Sequence, residues 1–382
     1  MRFKWWGTIL GAIATVTMGL VGLVSARGQA GQAAARPQMA EEAFKNVQVL
    51  KGIPVDEFMD TMGMFSSALG LCCTDCHGRE AEGNVAAFAV ETDKIRQSRG
   101  MIAMMNTLNN NFFGGDQRVT CFTCHRGGEG IPETIPDLSI QYSEPREPSP
   151  NSMDIARSTR SPQPVFDKYM QALGGAQRVA ALTSFTATGT YTGYETGMGP
   201  VQMQLYAKAP NQRAMVLKMP EEDGVRVYDG SNGWVVGPEK AVPITTLSGP
   251  NLFAARMEAM ISFPAGIQRE FTQWLSGSAV IDGNEMAVAQ GSKAGQLPVS
   301  FYFDQASGLL KRVVRWNATA VGAVPTQIEF DDYRAVAGVQ MPFKVVTTWT
   351  NGQSTLLLTD VRPNVAIDAA RFGRPAPARD RR

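Results

Sequence analysis

Four of the five cysteines in this chain of 382 residues, and both of its histidines, fall in two short runs: Cys73-Thr74-Asp75-Cys76-His77 and Cys121-Phe122-Thr123-Cys124-His125. Two thiols three positions apart can each add to one vinyl group of a single porphyrin. C-x-x-C-H is accordingly the attachment signature of c-type haem. The histidine that follows is held under the ring, where its imidazole can bind the iron. A zinc site, a disulfide or a thioredoxin-like pair would need no histidine after each C-x-x-C, so neither bland reading explains both runs. The spacing predicts two covalently attached haem c groups, with Cys73, Cys76, Cys121 and Cys124 as thioether donors and His77 and His125 as iron ligands. Cys72 stands outside the pattern and reads as a small apolar filler.

With both histidines committed, the chain holds no third histidine for the opposite face of either iron. Serine–histidine and cysteine–histidine catalysis lack their base. A peroxidase-like two-haem enzyme with an open iron remains an alternative, though without a distal histidine for acid–base work. The other sixth ligands are lysine, the amino terminus and methionine. Helical spacing runs from Val55 to Gly70, with Val55, Phe58, Met59, Met62 and Phe65 on a stripe and Gly70 as a stop. A second helix is expected over Thr92–Asn109, with Thr92 as N-cap and Ile95, Met101, Met105 and Leu108 inward. The chain has 19 methionines, and periodicity does not separate Met62 from Met59, or Met101 from Met104 and Met105.

Segment 46–127 resembles the cytochrome c subunit of photosynthetic reaction centres. The resemblance is carried by Asn46-Val47-Gln48-Val49-Leu50-Lys51, Glu57-Phe58-Met59-Asp60-Thr61-Met62, Arg99-Gly100-Met101-Ile102-Ala103-Met104, Asn109 and Val119-Thr120-Cys121-Phe122-Thr123-Cys124-His125-Arg126-Gly127. It implies that Met62 and Met101 are the sixth ligands and that the chain is an electron carrier. The implied partners are redox proteins, a membrane redox complex among them. The family carries four haems and this chain has two attachment sites. A histidine that serves the family's fourth haem would fall near Phe113-Gly114-Gly115, where none stands. A role in photosynthesis therefore does not follow automatically.

The elements that must position these residues make a multidomain chain: a small all-α two-haem cytochrome c domain followed by a mainly antiparallel β, half-barrel, α+β domain. Arg2 and Lys4 precede 20 residues from Trp5 to Val24 with no charge, followed by Ser25-Ala26. That order marks residues 1–26 as a signal peptide or an uncleaved anchor. Either reading makes the protein periplasmic, soluble or held at the outer face of the cytoplasmic membrane. The haem domain is expected over 41–129. It carries twelve acidic and eight basic side chains over 41–130, a solvated helix surface. A Pro-rich linker follows over 130–164. The net charge of +1 excludes a nucleic-acid-binding surface built on a basic run.

Residues 165–373 are expected to form the β-rich domain. A helix over Val165–Leu182, broken at Gly174-Gly175, precedes short alternating runs such as Ser184–Thr192, Val201–Ala207, Leu309–Trp316 and Ser354–Thr359. Asn251–Leu275 is expected to be helical, with a break at Pro264-Ala265-Gly266. The pieces Tyr228-Asp229-Gly230-Ser231-Asn232-Gly233-Trp234 and Phe301-Tyr302-Phe303-Asp304 resemble the half-barrels of periplasmic lipoprotein carriers. That resemblance implies a lipid or protein ligand for the C-terminal domain.

Overall fold

The computed structural model describes residues 36–82, 84–131, 161–237 and 242–377. The segment 1–26 and most of the linker 130–164 lie outside the described residues. No described helix is long and apolar enough to cross a membrane.

The N-terminal part is helical: α1 (Ala40–Ala43), α2 (Val55–Leu69), α3 (Cys73–His77), α4 (Asp93–Phe112) and α5 (Cys121–His125). Pro54 precedes α2, and Gly70 ends it in the left-handed region at φ +66°, a conformation that costs other residues and suits glycine. Thr92 caps α4 as expected, its hydroxyl accepting from the Ile95 amide at 3.2 Å. The inward register of α4 differs from expectation at Met101 alone. Ile102, Met105 and Asn109 are buried, whereas Met101 is 38% exposed. Asn109 sets this register: its side chain is tied to the backbone at residues 118 and 119 and must face inward to reach it.

The C-terminal part holds α6 (Gln163–Ala172), α7 (Ala176–Ala181), α8 (Gly249–Ser262), α9 (Ile267–Glu270) and thirteen strands. These are β1 (Ser184–Gly193), β2 (Pro200–Lys208), β3 (Gln212–Lys218), β4 (Gly224–Tyr228), β5 (Gly233–Val236), β6 (Thr245–Thr246), β7 (Gln273–Ile281), β8 (Asn284–Lys293), β9 (Gln296–Asp304), β10 (Leu310–Thr319), β11 (Gly322–Val336), β12 (Val339–Trp349) and β13 (Gly352–Pro363). They form one antiparallel sheet in the order β6-β5-β4-β3-β2-β1-β13-β12-β11-β10-β9-β8-β7. The antiparallel reading of this half is therefore correct.

The helical expectation for Asn251–Leu275 fails at its end. The chain leaves helix at Phe271, and Gln273–Leu275 begin β7. Trp274 is drawn onto the sheet by Phe166, Phe271 and Phe301, at ring centroid distances of 4.9, 5.0 and 5.9 Å. Its indole N–H donates to the Gln268 carbonyl at 3.1 Å. An aromatic cluster assembled from distant segments thus overrides local helical spacing. The β7–β8 hairpin turns at Asp282-Gly283, both at positive φ, the Asp-Gly geometry favoured for tight hairpins.

The main core lies where α6–α9 pack on one face of the sheet, with Phe185, Phe301, Phe303 and Leu310 almost wholly buried. A second core joins the two parts of the chain. Leu50, Met64, Ile102 and Met105 pack with Val321 and Val324 from the tip of the β10–β11 hairpin. Val321 has no exposed surface, and burying such a side chain is worth about 1.5–3 kcal/mol.

Candidate haem-attachment sites and a charged cavity

Each C-x-x-C-H run forms one short helix. In α3 the Asp75 carboxylate accepts from the Cys72 amide at 2.7 Å. In α5 the Thr123 hydroxyl accepts from the Thr120 amide at 3.0 Å. Both turns satisfy backbone donors at their starts. All five cysteines are free, and the thiols of Cys76, Cys121 and Cys124 are half-buried. Among the described residues no group of three or more His, Cys, Asp or Glu could hold a metal ion, so the two Cys pairs do not converge into a zinc cluster.

The two histidines share one arrangement. Nδ1 of His77 lies 3.0 Å from the Phe88 carbonyl oxygen, and Nδ1 of His125 lies 3.0 Å from that of Glu129. A carbonyl only accepts, so each Nδ1 carries the proton and each Nε2 keeps its lone pair. This is how metal-ligating histidines are oriented in general. The segments that carry these carbonyls are braced by neighbouring bonds. Asn46 donates to the Ala89 carbonyl at 2.9 Å, and Arg99 donates to the Asn46 carbonyl at 2.9 Å. Arg99 also pairs with Glu91 at 2.7 Å. On the second turn, Lys94 reaches the Glu129 carboxylate at 2.6 Å.

The two attachment turns are interlocked. The Thr92 hydroxyl, at the start of α4, donates to the Cys76 carbonyl at 2.6 Å. The Gly127 amide, just after α5, donates to the Ala68 carbonyl near the end of α2 at 2.9 Å. Asn109 of α4 clamps the approach to α5, donating to the Val119 carbonyl at 2.8 Å and accepting from the Arg118 and Val119 amides at 3.1 and 2.9 Å.

The methionines separate by face. Met59, with Asp60 and Gly63, lines a cavity in the β part. Met62 packs with Phe58 and Phe65 beside the second core, about 60° round α2 from Met59 at ~100° per residue. On α4, Met105 is buried in that core, whereas Met101 and Met104 are exposed. Among the described residues, ten of the sixteen exposed large apolar side chains lie between Val49 and Ile131, among them Phe88, Phe112, Phe113 and Phe122. So much apolar surface around two attachment turns suits the cover of large flat porphyrins. The donors, their tautomers and this surface fit two c-type haems.

A second polar site was not found from the sequence. The cavity lined by Met59 and Asp60 has a volume of about 500 Å³ and is walled by residues of β1–β4 and β10–β13. Eight adjacent strands would span roughly 34 Å if flat, so the sheet must curve around it. Glu258 of α8 takes Arg213 at 3.4 Å and Arg226 at 3.2 Å. Burial opposes its ionisation, but the guanidiniums of Arg226, Arg213 and Arg315 prevail and hold its carboxyl below the usual range. Arg315 is only 8% exposed. Burial lowers its pKa to about 10, which leaves it charged at neutral pH. Its Nη1 donates to Asn317 Oδ1 at 2.8 Å, and Asn317 Nδ2 donates to Asn251 at 2.9 Å and to Asp60 at 3.3 Å. The signal was present in β10, where Val313, Arg315, Asn317 and Thr319 share one buried face. A buried polar run on a strand's inner phase marks a site or an interface.

Residues 24–179 match the photosynthetic reaction centre cytochrome c subunit family. The reaction centre cytochrome c subunit of Thermochromatium tepidum is 35% identical over 92 residues, 23% of this chain and 22% of that protein. That of Roseobacter denitrificans is 30% identical over 106 residues, 26% of this chain and 28% of that protein. The chain thus spans about a quarter of the length of the curated relatives it matches. A LolA superfamily protein from Nitrosomonas europaea is similar in structure at 13% identity, with a TM-score of 0.39 over 56% of this chain and 99% of that one. A DUF1329 family protein from Desulfovibrio piger is similar at 13% identity, with a TM-score of 0.40 over 55% and 96%. The N-terminal part thus resembles reaction centre cytochromes.

Proposed function

We propose that this chain is a periplasmic electron-transfer protein carrying two covalently bound c-type haems, each held between a histidine and a methionine. The observation that carries the reading is the matched pair of C-x-x-C-H turns in which both histidines donate Nδ1–H to a backbone carbonyl. Bound haem would supply one-electron chemistry at its iron. Cys73 and Cys76 would tether the first group and Cys121 and Cys124 the second, with Nε2 of His77 and His125 as proximal ligands. Met62 and Met101 would close the opposite faces. Thioether ligation favours ferrous iron and raises the potential. Phe88, Phe112, Phe113 and Phe122 would exclude water from the porphyrin edges.

In this reading residues 41–129 are a small all-α haem-bearing domain, 130–164 a linker and 165–373 a β-rich half-barrel domain. Residues 1–26 direct the chain out of the cytoplasm and are cleaved or retained as an anchor. The partners are redox proteins, and a membrane redox complex of the reaction-centre kind is the candidate acceptor. The decisive experiment weighs the purified chain under denaturing conditions after expression with the haem-maturation machinery. The expected mass exceeds that of the polypeptide by two haems; a mass without that increment ends the proposal.

A further inference from the structure

The cavity in the β part holds a buried cation, Arg315, on which Glu258 and Asp60 act without a direct salt bridge. Six ionisable side chains line it: Asp60, Glu195 and Glu258 against Arg213, Arg226 and Arg315. Both oxygens of Glu258 are engaged by Arg213 and Arg226. Glu195 accepts from the Tyr191 hydroxyl at 3.0 Å, and Asp60 accepts from Asn251 and Asn317 at 2.8 and 3.3 Å. Arg315 forms no ion pair among the described residues. Its Nη1 is spent on Asn317, and its buried Nε has no hydrogen-bond partner. The Nε–Nη2 edge is thus left over, and this is one of the edges on which a guanidinium receives a carboxylate through two parallel bonds. A buried charge left without a partner is costly, and an anion placed against it would offset that cost.

Part of the remaining wall is apolar and deep. Phe185, Phe263, Ile328, Phe330 and Leu356 all line the cavity and belong to the main core. Its volume of about 500 Å³ falls in the range of small-molecule sites, about 300–1,000 Å³. We propose that this cavity binds a long-chain carboxylate, the head on the Nε–Nη2 edge of Arg315 and the hydrocarbon chain among these apolar side chains. The occupant would also touch α2, because Met59, Asp60 and Gly63 form part of the same wall. The inference does not depend on the haem reading, and its test is independent of haem loading.

The test titrates the purified, delipidated full chain with oleate and with oleyl alcohol, which has the same tail and no charge, by isothermal calorimetry. Oleate is expected to bind one to one, and oleyl alcohol at least tenfold more weakly. The Arg315→Gln variant, its fold checked by thermal melting, should weaken oleate at least tenfold and leave oleyl alcohol unchanged. Arg315→Lys, which keeps the charge and loses the fork, should fall between. Absence of oleate binding to the wild type, or equal affinity for the acid and the alcohol, overturns the proposal. The comparison of the two ligands on the wild type stands even if the variant fails to fold.

Discussion

The Asp56 carboxylate accepts both the backbone amide of Ser248, at 2.7 Å, and its hydroxyl, at 2.8 Å. The first turn of α2 is thereby tied to the residue that opens α8, 192 positions later in the chain. Asp56 is buried, and the Asp60–Asn251 and Asp60–Asn317 bonds repeat the tie one turn further on. One side of α2 therefore belongs to the β part, while Phe58, Met62 and Phe65 serve the helical part.

This tie has a pH signature. Burial raises the Asp56 carboxyl above its ordinary 3.8, against the lowering effect of the Ser248 donors. A folded value above the unfolded one means that the native chain holds the proton more tightly. The contribution of Asp56 is then largest below the unfolded value and is lost as pH rises through the folded value. Asp56→Asn does not titrate. Urea unfolding should show wild type gaining stability relative to Asp56→Asn as pH falls from 7 to 4; a constant or opposite difference contradicts this account.

Helical face predicts which methionine matters. Met62→Leu should abolish the weak long-wavelength ferric iron–sulfur band of one haem, because a leucine offers no thioether. Met59→Leu, on the side of α2 that lines the cavity, should leave that band intact. On α4 the same comparison sets Met101→Leu against Met105→Leu. The latter is a buried core change and should alter stability by less than about 1.5 kcal/mol without touching the band.

Gly70 is required by close approach. A Cβ there would lie 2.4 Å from the Gly127 carbonyl oxygen, and φ is +66°. An alanine in the left-handed region costs about 1–2 kcal/mol, and the clash adds to it. Gly70→Ala should lose about 2–4 kcal/mol in chemical unfolding. Gly52→Ala, at φ +81° with nothing within 4 Å, should lose only the conformational part. Equal losses would show that the approach of the two backbones carries no weight.

Asn109 is the clamp before the second attachment turn and is only 4% exposed. Asn109→Ala leaves the Val119 amide and carbonyl without their partner, while the Arg118 amide keeps its bond to the Asp116 carbonyl, an expected cost of about 2–4 kcal/mol. Asn109→Asp keeps the acceptor for the amides but turns an anionic oxygen toward the Val119 carbonyl, so it should recover only part of the loss. Thermal melting of the two variants orders them.

The expected role of the two C-x-x-C-H runs rests on local chemistry: two thiols and an imidazole must sit within five residues to meet one porphyrin. The α2 boundary was legible for the same reason, since a glycine in the left-handed region ends a helix from within. The inward face of α4 was not, because Asn109 turns it toward a backbone segment ten residues away and leaves Met101 outside. The fate of Gln273–Leu275 was hidden too, since rings from α6 and β9 decide it.

By itself, then, the order of residues carries the haem-attachment proposal at Cys73–His77 and Cys121–His125 and determined the antiparallel character of the second half, because both rest on spacings of two to five positions. Only the tertiary structure decided that the end of the first helix meets the turn after the second attachment site, and that the start of the second helix meets the first. It alone brought Arg213, Arg226, Glu258 and Arg315 around one cavity. Such groups lie tens of residues apart, and what joins them is the curvature of a sheet and the cost of burying charge, which no short window of sequence contains.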